Sequence, residues 1–243
     1  MPTFRTLRNV AVVLAGGTGT RVGFSTPKQL ITIAGKPIIE HSIAAMQASP
    51  VIDEILVIMA PGYLDEVRAI VRAGDYNKVS RILEGGGTRN ESTGIALSAL
   101  GEAECNVLLH DAVRPLVSQT IIAANVEALR SYEAVATVIT SADTVIEVEH
   151  EAGTIADVLP RHRLRRGQTP QSFRLSTIRA AYQKAAEDAT FTATDDCTVV
   201  LRYLPEVPIA VVPGDERNIK VTEPIDVYIA DKLFQLTSAD RNG

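Results

Sequence analysis

Val10-Ala11-Val12-Val13-Leu14 runs without a break into Ala15-Gly16-Gly17-Thr18-Gly19-Thr20-Arg21-Val22-Gly23. A short, continuously apolar segment suits a strand buried on both faces, and glycines directly after it mark a turn at its carboxyl end. The rhythm then repeats. The amphipathic stretch Ile38–Ala48 follows, then Ile55–Met59 with Leu64–Val71, then Val107–His110 with Ile121–Arg130. Strands alternating with helices predict an α/β fold with a parallel sheet covered on both faces by helices. Asn90 ahead of Glu91–Leu100, and Ser118 ahead of Gln119–Arg130, supply side-chain oxygens suited to capping helix starts.

The segment Thr137 to Asp157 breaks this rhythm. It alternates apolar and polar residues around Ala152-Gly153 and predicts a β-hairpin. It has few apolar residues to bury on both sides, so it either projects and packs on a second copy of the chain or stands solvated. With no repeat, low-complexity tract or Pro/Gly/Ser-rich linker, the chain is expected to form one domain over 1–243, with a β-arm at about 137–160.

Composition excludes several classes of function. The 243 residues are 46% hydrophobic, enough for a large core without disulfide staples. The apolar run Val10–Ala15 is shorter than the roughly 7–15 residues of a signal segment and far short of a membrane span, so neither secretion nor membrane insertion is expected. Cys105 and Cys197 form no Cys-x-x-Cys, and His41, His110, His150 and His162 lack ligand spacing. A structural zinc is therefore not expected, and a reducing cytoplasm is the expected compartment. The net charge of −5 argues against nucleic acid as a partner, because counterion release needs clustered Lys and Arg. Phosphate binding must come from a local site.

Residues suited to such a site occur in several places. The glycines of Ala15–Gly23 let backbone N–H groups face an anion, and Arg21 and Lys28, the latter in Pro27-Lys28-Gln29, add positive charge. The spacing is neither G-x-G-x-x-G nor a Walker A. Gly85-Gly86-Gly87-Thr88-Arg89-Asn90-Glu91-Ser92 is a glycine turn opening a helix, where free N–H donors attract anions. Asp111-Ala112-Val113-Arg114-Pro115 puts a carboxylate and a guanidinium at the carboxyl end of a parallel strand, the edge where open α/β sheets bind ligands. One Asp beside a triphosphate suits Mg²⁺, which keeps most of its waters and takes one or two protein carboxylates. Arg161, Arg163, Arg165 and Arg166 precede Gly167-Gln168-Thr169-Pro170-Gln171; at least two of these arginines are expected to be solvated, leaving others for a phosphomonoester. Gly214–Asp226 reads as a turn, a short strand carrying Lys220, and a helix start near Pro224.

Taken in order, Ala15–Gly23 with Pro27-Lys28-Gln29, His110–Pro115, Asp143-Thr144, Gln168-Thr169-Pro170-Gln171, Thr194-Asp195-Asp196 and Asn218-Ile219-Lys220-Val221-Thr222 resemble the cytidylyltransferase family. That family includes the methylerythritol-phosphate and ribitol-5-phosphate cytidylyltransferases. The resemblance spans residue 10 to about 236. It implies a Rossmann-like nucleotidyltransferase domain that binds CTP and Mg²⁺ and pairs as a homodimer through the β-arm. By position, Ala15, Gly16, Gly17 and Gly19 would line the CTP loop, and Gly86 and Ser92 would contact the cytidine part. Asp111 would carry Mg²⁺, while Arg21, Lys28 and Lys220 would neutralise phosphates. Arg114, Thr144, Arg161 and Thr169 would hold the polyol phosphate, with the arm of one subunit completing the acceptor site of the other.

Within the family, two departures point to the ribitol-phosphate branch. Leu14-Ala15-Gly16-Gly17 stands where methylerythritol enzymes usually show Pro-Ala-Ala-Gly, and Ile146 stands where they usually place a lysine after the threonine. Asn218–Leu236 also resembles the ribitol enzymes of capsule and teichoic-acid synthesis. The expectation is transfer of CMP from CTP to D-ribitol 5-phosphate, with 2-C-methyl-D-erythritol 4-phosphate, the acceptor of non-mevalonate isoprenoid synthesis, as the alternative. A non-catalytic CTP-binding regulator is a further alternative, disfavoured because a binder needs no set such as Lys28, Asp111 and Lys220.

Overall fold

The computed structural model describes residues 7–17, 27–149, 151, 153–191 and 193–239. Eleven strands and seven helices are described. In chain order they are β1 (Asn9–Ala15), β2 (Thr32–Ile33), β3 (Lys36–Pro37), α1 (Ile38–Ala48), β4 (Glu54–Met59), α2 (Leu64–Ala73), β5 (Val79–Glu84), α3 (Arg89–Ala99) and β6 (Asn106–Asp111). Then come α4 (Gln119–Ala128), β7 (Ala134–Thr140), β8 (Ile146–Glu149), β9 (Thr154–Val158), β10 (Arg165–Arg174), α5 (Leu175–Ala186), α6 (Asp196–Tyr203), β11 (Ile209–Pro213) and α7 (Pro224–Ala239). Seven strands form the main sheet in the order β11-β7-β10-β6-β1-β4-β5. Only β10 runs antiparallel to its neighbours, so the mostly parallel α/β architecture expected from the sequence is the one found.

Strand β1 shows why the centre of this sheet reads as continuously apolar. Successive side chains point to opposite faces. Val10, Val12 and Leu14 enter one core with Ala96 and Leu97 of α3, Ile178 of α5 and Val200 of α6, while Ala11, Val13 and Ala15 enter the other with Ile43 of α1, Val67 of α2 and Ile122 of α4. Both faces are covered, so alternation is lost and every residue from Val10 to Ala15 is buried. A smaller core of Ile33, Ile38, Val113, Val221 and Ala230 seats α7 beside the β2–β3 hairpin.

Three local expectations change. Thr88, not Asn90, caps α3: its Oγ1 accepts from the Glu91 N–H at 3.1 Å, and Asn90 lies one residue inside the helix. Ser118 does cap α4, accepting from Ile121 N–H at 3.2 Å. The hairpin starts later than Thr137, because Thr137–Thr140 completes β7 and pairs with Arg165–Gln168 in the main sheet. The arm proper is the two-stranded ribbon β8–β9, whose strand residues are all exposed; Ala152 of its turn lies outside the described residues. Finally, Ile219–Thr222 joins no sheet, although Val221 N–H reaches the Val113 carbonyl at 2.9 Å.

Candidate active site

The site assembles at the carboxyl ends of the central strands β1 and β6, where the ladder stops and the chain turns. Ala15 ends β1, and its carbonyl accepts from the Gln29 amide at 2.6 Å; the same amide reaches the Gly17 carbonyl at 3.0 Å. Gln29 is buried, so it clamps the glycine loop to the turn that carries Lys28. Gly19 and Arg21, both assigned to this loop from the sequence, lie outside the described residues.

The second glycine turn packs directly on the first. A Cβ on Gly16 would stand 2.4 Å from Ser92 Oγ, and one on Gly85 would stand 3.1 Å from the Gly16 Cα, so both positions need the absence of a side chain. Ser92 is buried and accepts from the Gly86 N–H at 3.2 Å, while Glu91 accepts from the Gly87 N–H at 2.7 Å. The α3 side chains thus tie down the turn that precedes them.

Asp111 closes β6 with its backbone N–H donating to Thr169 Oγ1 at 3.0 Å. Its carboxylate pairs with Lys220 Nζ at 2.8 Å and Arg89 Nε at 3.3 Å. Burial alone would raise the Asp111 pKa, but the charges of Arg89, Lys220 and Arg114 outweigh it and hold the carboxyl well below the usual carboxylate range. Arg89, the first residue of α3, also donates to Asp196 at 2.6 Å. Asp196 is fully buried and accepts from Tyr182 Oη at 2.7 Å and Thr93 Oγ1 at 3.1 Å. Asp195 caps α6, accepting from Thr198 N–H at 2.8 Å.

Arg114 donates to the Asn218 carbonyl at 2.8 Å, and Asn218 donates to the Thr169 carbonyl at 3.0 Å. These bonds bring the segment carrying Lys220 against the turn after β6. His110 Nε2 lies 3.1 Å from the Arg114 carbonyl, and burial pushes its pKa down to about 4. Thr169 sits where the pairing of β10 with β7 slips between Gln168 and Gln171. Asp226, at the start of α7, accepts from Thr222 N–H at 2.7 Å.

The structure therefore gathers Gly16, Gly86, Ser92, Asp111, Arg114, Thr169 and Lys220 around the ends of β1 and β6. Thr144 and Arg161 meet each other on the arm at 2.9 Å, but among the described residues no hydrogen bond or ion pair ties them to this group. All four arginines of Arg161–Arg166 are exposed. Sequence reasoning passed over Arg89, Asp196, Gln29 and His110 as site residues. Arg89 had a usable signal, a cation directly after a glycine turn at a helix start; the others are buried polar groups whose partners are distant in sequence.

The sequence pattern of the 2-C-methyl-D-erythritol 4-phosphate cytidylyltransferase family matches residues 9–236. The chain belongs to that family. This cytidylyltransferase is 49% identical, over 96% of both chains, to the 2-C-methyl-D-erythritol 4-phosphate cytidylyltransferase of Thermobifida fusca. It is 40% identical to a bifunctional ribulose 5-phosphate reductase/CDP-ribitol pyrophosphorylase of Haemophilus influenzae, over 95% of this chain and 49% of that protein. Among solved structures, 4-diphosphocytidyl-2C-methyl-D-erythritol synthase of Anaerococcus prevotii superposes with a TM-score of 0.83 at 28% identity, over 95% of this chain and 99% of the other. The cytidylyltransferase is thus a CTP-dependent nucleotidyltransferase, and the reading as a non-catalytic regulator falls.

The ribitol expectation falls too. The 49% identical relative is a methylerythritol-phosphate enzyme, as is the superposed structure. The physical reason lies in the first of the two residues that carried the expectation. Leu14 points into the core among Leu56, Ile58 and Ala96, so it records how β1 packs and says nothing about the acceptor. Ile146 opens the first strand of the exposed ribbon.

Proposed function

We propose that the cytidylyltransferase transfers CMP from CTP to 2-C-methyl-D-erythritol 4-phosphate, supplying isoprenoid biosynthesis. The observation that carries the chemistry is the ionised Asp111 at the strand end, flanked by Lys220 and Arg89 beside two interlocked glycine turns. The acceptor rests on the methylerythritol-phosphate relatives.

In this reading an acceptor phosphate oxygen attacks the α-phosphorus of CTP as the bond to the β-phosphate oxygen breaks, releasing pyrophosphate. The attacking oxygen is already anionic near neutral pH, so no general base is required. Positioning two highly charged reactants and stabilising charge on the leaving group are the main catalytic tasks. Backbone N–H groups of the glycine turns serve the nucleotide; Arg21, Lys28 and Lys220 serve the phosphates. Arg114, Thr144, Arg161 and Thr169 serve the acceptor.

Asp111 fits Mg²⁺, being a hard, ionised oxygen donor with about 10% of its side chain exposed at the ligand edge of the sheet. When bound, the ion supplies neutralisation of phosphate charge. The arm presents Val145, Ile146, Val148, Ile155 and Val158 as exposed apolar side chains, which a second copy of the chain would cover in a homodimer. Among the described residues no helix is long and apolar enough to cross a membrane. We place the enzyme in the cytoplasm, with small molecules as its other partners.

The test is pyrophosphate release with CTP and Mg²⁺, comparing 2-C-methyl-D-erythritol 4-phosphate with D-ribitol 5-phosphate at equal sub-saturating concentration. A strong preference for the methylerythritol compound is expected; a preference for ribitol phosphate overturns the acceptor assignment.

A further inference from the structure

His110 closes β6 beside Asp111 with no exposed surface, and the chemistry above leaves it without a role. Its Nε2 faces the Arg114 carbonyl oxygen at 3.1 Å, and its Nδ1 faces Thr169 Oγ1 at 3.0 Å. A carbonyl oxygen only accepts, so in a neutral imidazole Nε2 carries the proton and Nδ1 keeps a lone pair. The Thr169 hydroxyl must then donate to Nδ1. The same hydroxyl oxygen accepts from the Asp111 backbone N–H at 3.0 Å. A hydroxyl has one proton and two lone pairs, so Thr169 is left with one lone pair and no proton for a ligand.

We propose that His110 is the positioning residue of the acceptor half of the site, and that through it Thr169 accepts a hydrogen bond from a hydroxyl of the polyol and makes no bond to its phosphate. A phosphate oxygen set against the remaining lone pair of Thr169 would place two acceptors face to face with no proton between them. A polyol hydroxyl carries the missing proton. By holding the Arg114 carbonyl as well, the same ring fixes the turn Asp111–Arg114, so one buried side chain orients both the strand-end carboxylate and the acceptor-binding threonine. The inference rests on the polyol-phosphate reading given above.

Two measurements test it. Long-range ¹⁵N–¹H spectra of the imidazole rings report the tautomer directly, with His110 assigned by loss of its signal in His110→Asn, or by its shift in Thr169→Val should that variant not fold. An Nε2–H ring is expected; an Nδ1–H ring or an imidazolium overturns the proposal. The second measurement is the KM for 2-C-methyl-D-erythritol 4-phosphate and for analogues each lacking one hydroxyl. One analogue should raise the wild-type KM about tenfold, as for loss of a hydrogen bond to a buried partner, and that penalty should vanish in Thr169→Val. His110→Gln should lose the discrimination, whereas His110→Asn, which keeps an acceptor near the Nδ1 position, should retain it. A penalty that persists in Thr169→Val overturns the proposal. Absence of wild-type turnover with 2-C-methyl-D-erythritol 4-phosphate would instead overturn the acceptor reading, while the ring spectrum still reports the tautomer.

Discussion

Asp196, which exposes no surface, holds its carboxylate 2.6 Å from the guanidinium of Arg89 and thereby ties the start of α6 to the start of α3. Removing Asp196 leaves Arg89 with Asp111 as its remaining carboxylate and strips the Thr93 and Tyr182 hydroxyls of their acceptor, at a cost of about 1–3 kcal/mol. Asp196→Ala should therefore shift the urea midpoint by a corresponding amount, and Asp196→Asn, which keeps the shape, by less. A loss under about 1 kcal/mol in the alanine variant would show that the pair is not structural. Because Arg89 also touches Asp111, both variants should lose activity beyond what their unfolded fraction explains.

The cations assigned to the phosphates make a separate prediction. Lys28→Ala or Lys220→Ala should reduce kcat by on the order of 10²-fold or more, as for removal of a transition-state charge partner. The Lys220 side chain is 41% exposed, so the fold should survive its truncation. Near-wild-type pyrophosphate release in both variants would reject these roles.

The glycine turns separate packing from ligand approach. Gly16→Ala would drive its Cβ into Ser92 Oγ, and Gly85→Ala would press on the Gly16 backbone, whereas a Cβ on Gly17 meets nothing within 4 Å. Melting of the ligand-free protein should show a loss of about 1–3 kcal/mol for Gly16→Ala and Gly85→Ala, with little change for Gly17→Ala. Equal losses at all three positions would contradict the interlocked arrangement.

Acid should weaken the fold through His110. Burial pushes its pKa down to about 4 from the ordinary 6.5, so between these values the unfolded chain takes up a proton that the folded chain refuses. This contribution is fully present above pH 6.5 and is lost progressively as pH falls towards about 4, a change of about 3 kcal/mol. Chemical denaturation across this window, with His110→Asn as the comparison, should show the variant to be less pH-sensitive.

The arm tests assembly. A charge at Ile155, which is 63% exposed in β9, should cost a monomer little but should disrupt an apolar interface. Ile155→Asp is expected to lower the sedimentation coefficient from that of a dimer to that of a monomer. An unchanged value would place the interface elsewhere.

Much of this was legible in sequence where one physical pattern dominates. Val10–Ala15 and Val107–His110 are buried on both faces and read as short strand-like runs, and Asp111 is found at the strand end where that pattern placed it. Strand β10 was not legible. Arg165–Arg174 contains a glycine and a proline and is largely polar, yet Gln168, Thr169, Gln171 and Ser172 are buried because distant partners satisfy them. Gln171 bonds Asp195 and the backbone of Asp196, and Ser172 bonds Asn125. Buried polar networks have no periodicity to reveal them. The same holds for Arg89 with Asp196, whose partnership spans two helices.

The exposed strands of the ribbon β8–β9 resist opening far less than the strand end that carries Asp111. A lone two-stranded ribbon is marginal in water, whereas β1 and β6 lie at the centre of the sheet. Backbone amides near Thr144 and Arg161 should exchange with solvent early, those of Val12 and Leu109 last of all. The strand that carries Asp111 thus stands at the rigid end of the stability scale and the ribbon at the yielding end, so the ribbon can open without loosening the fold.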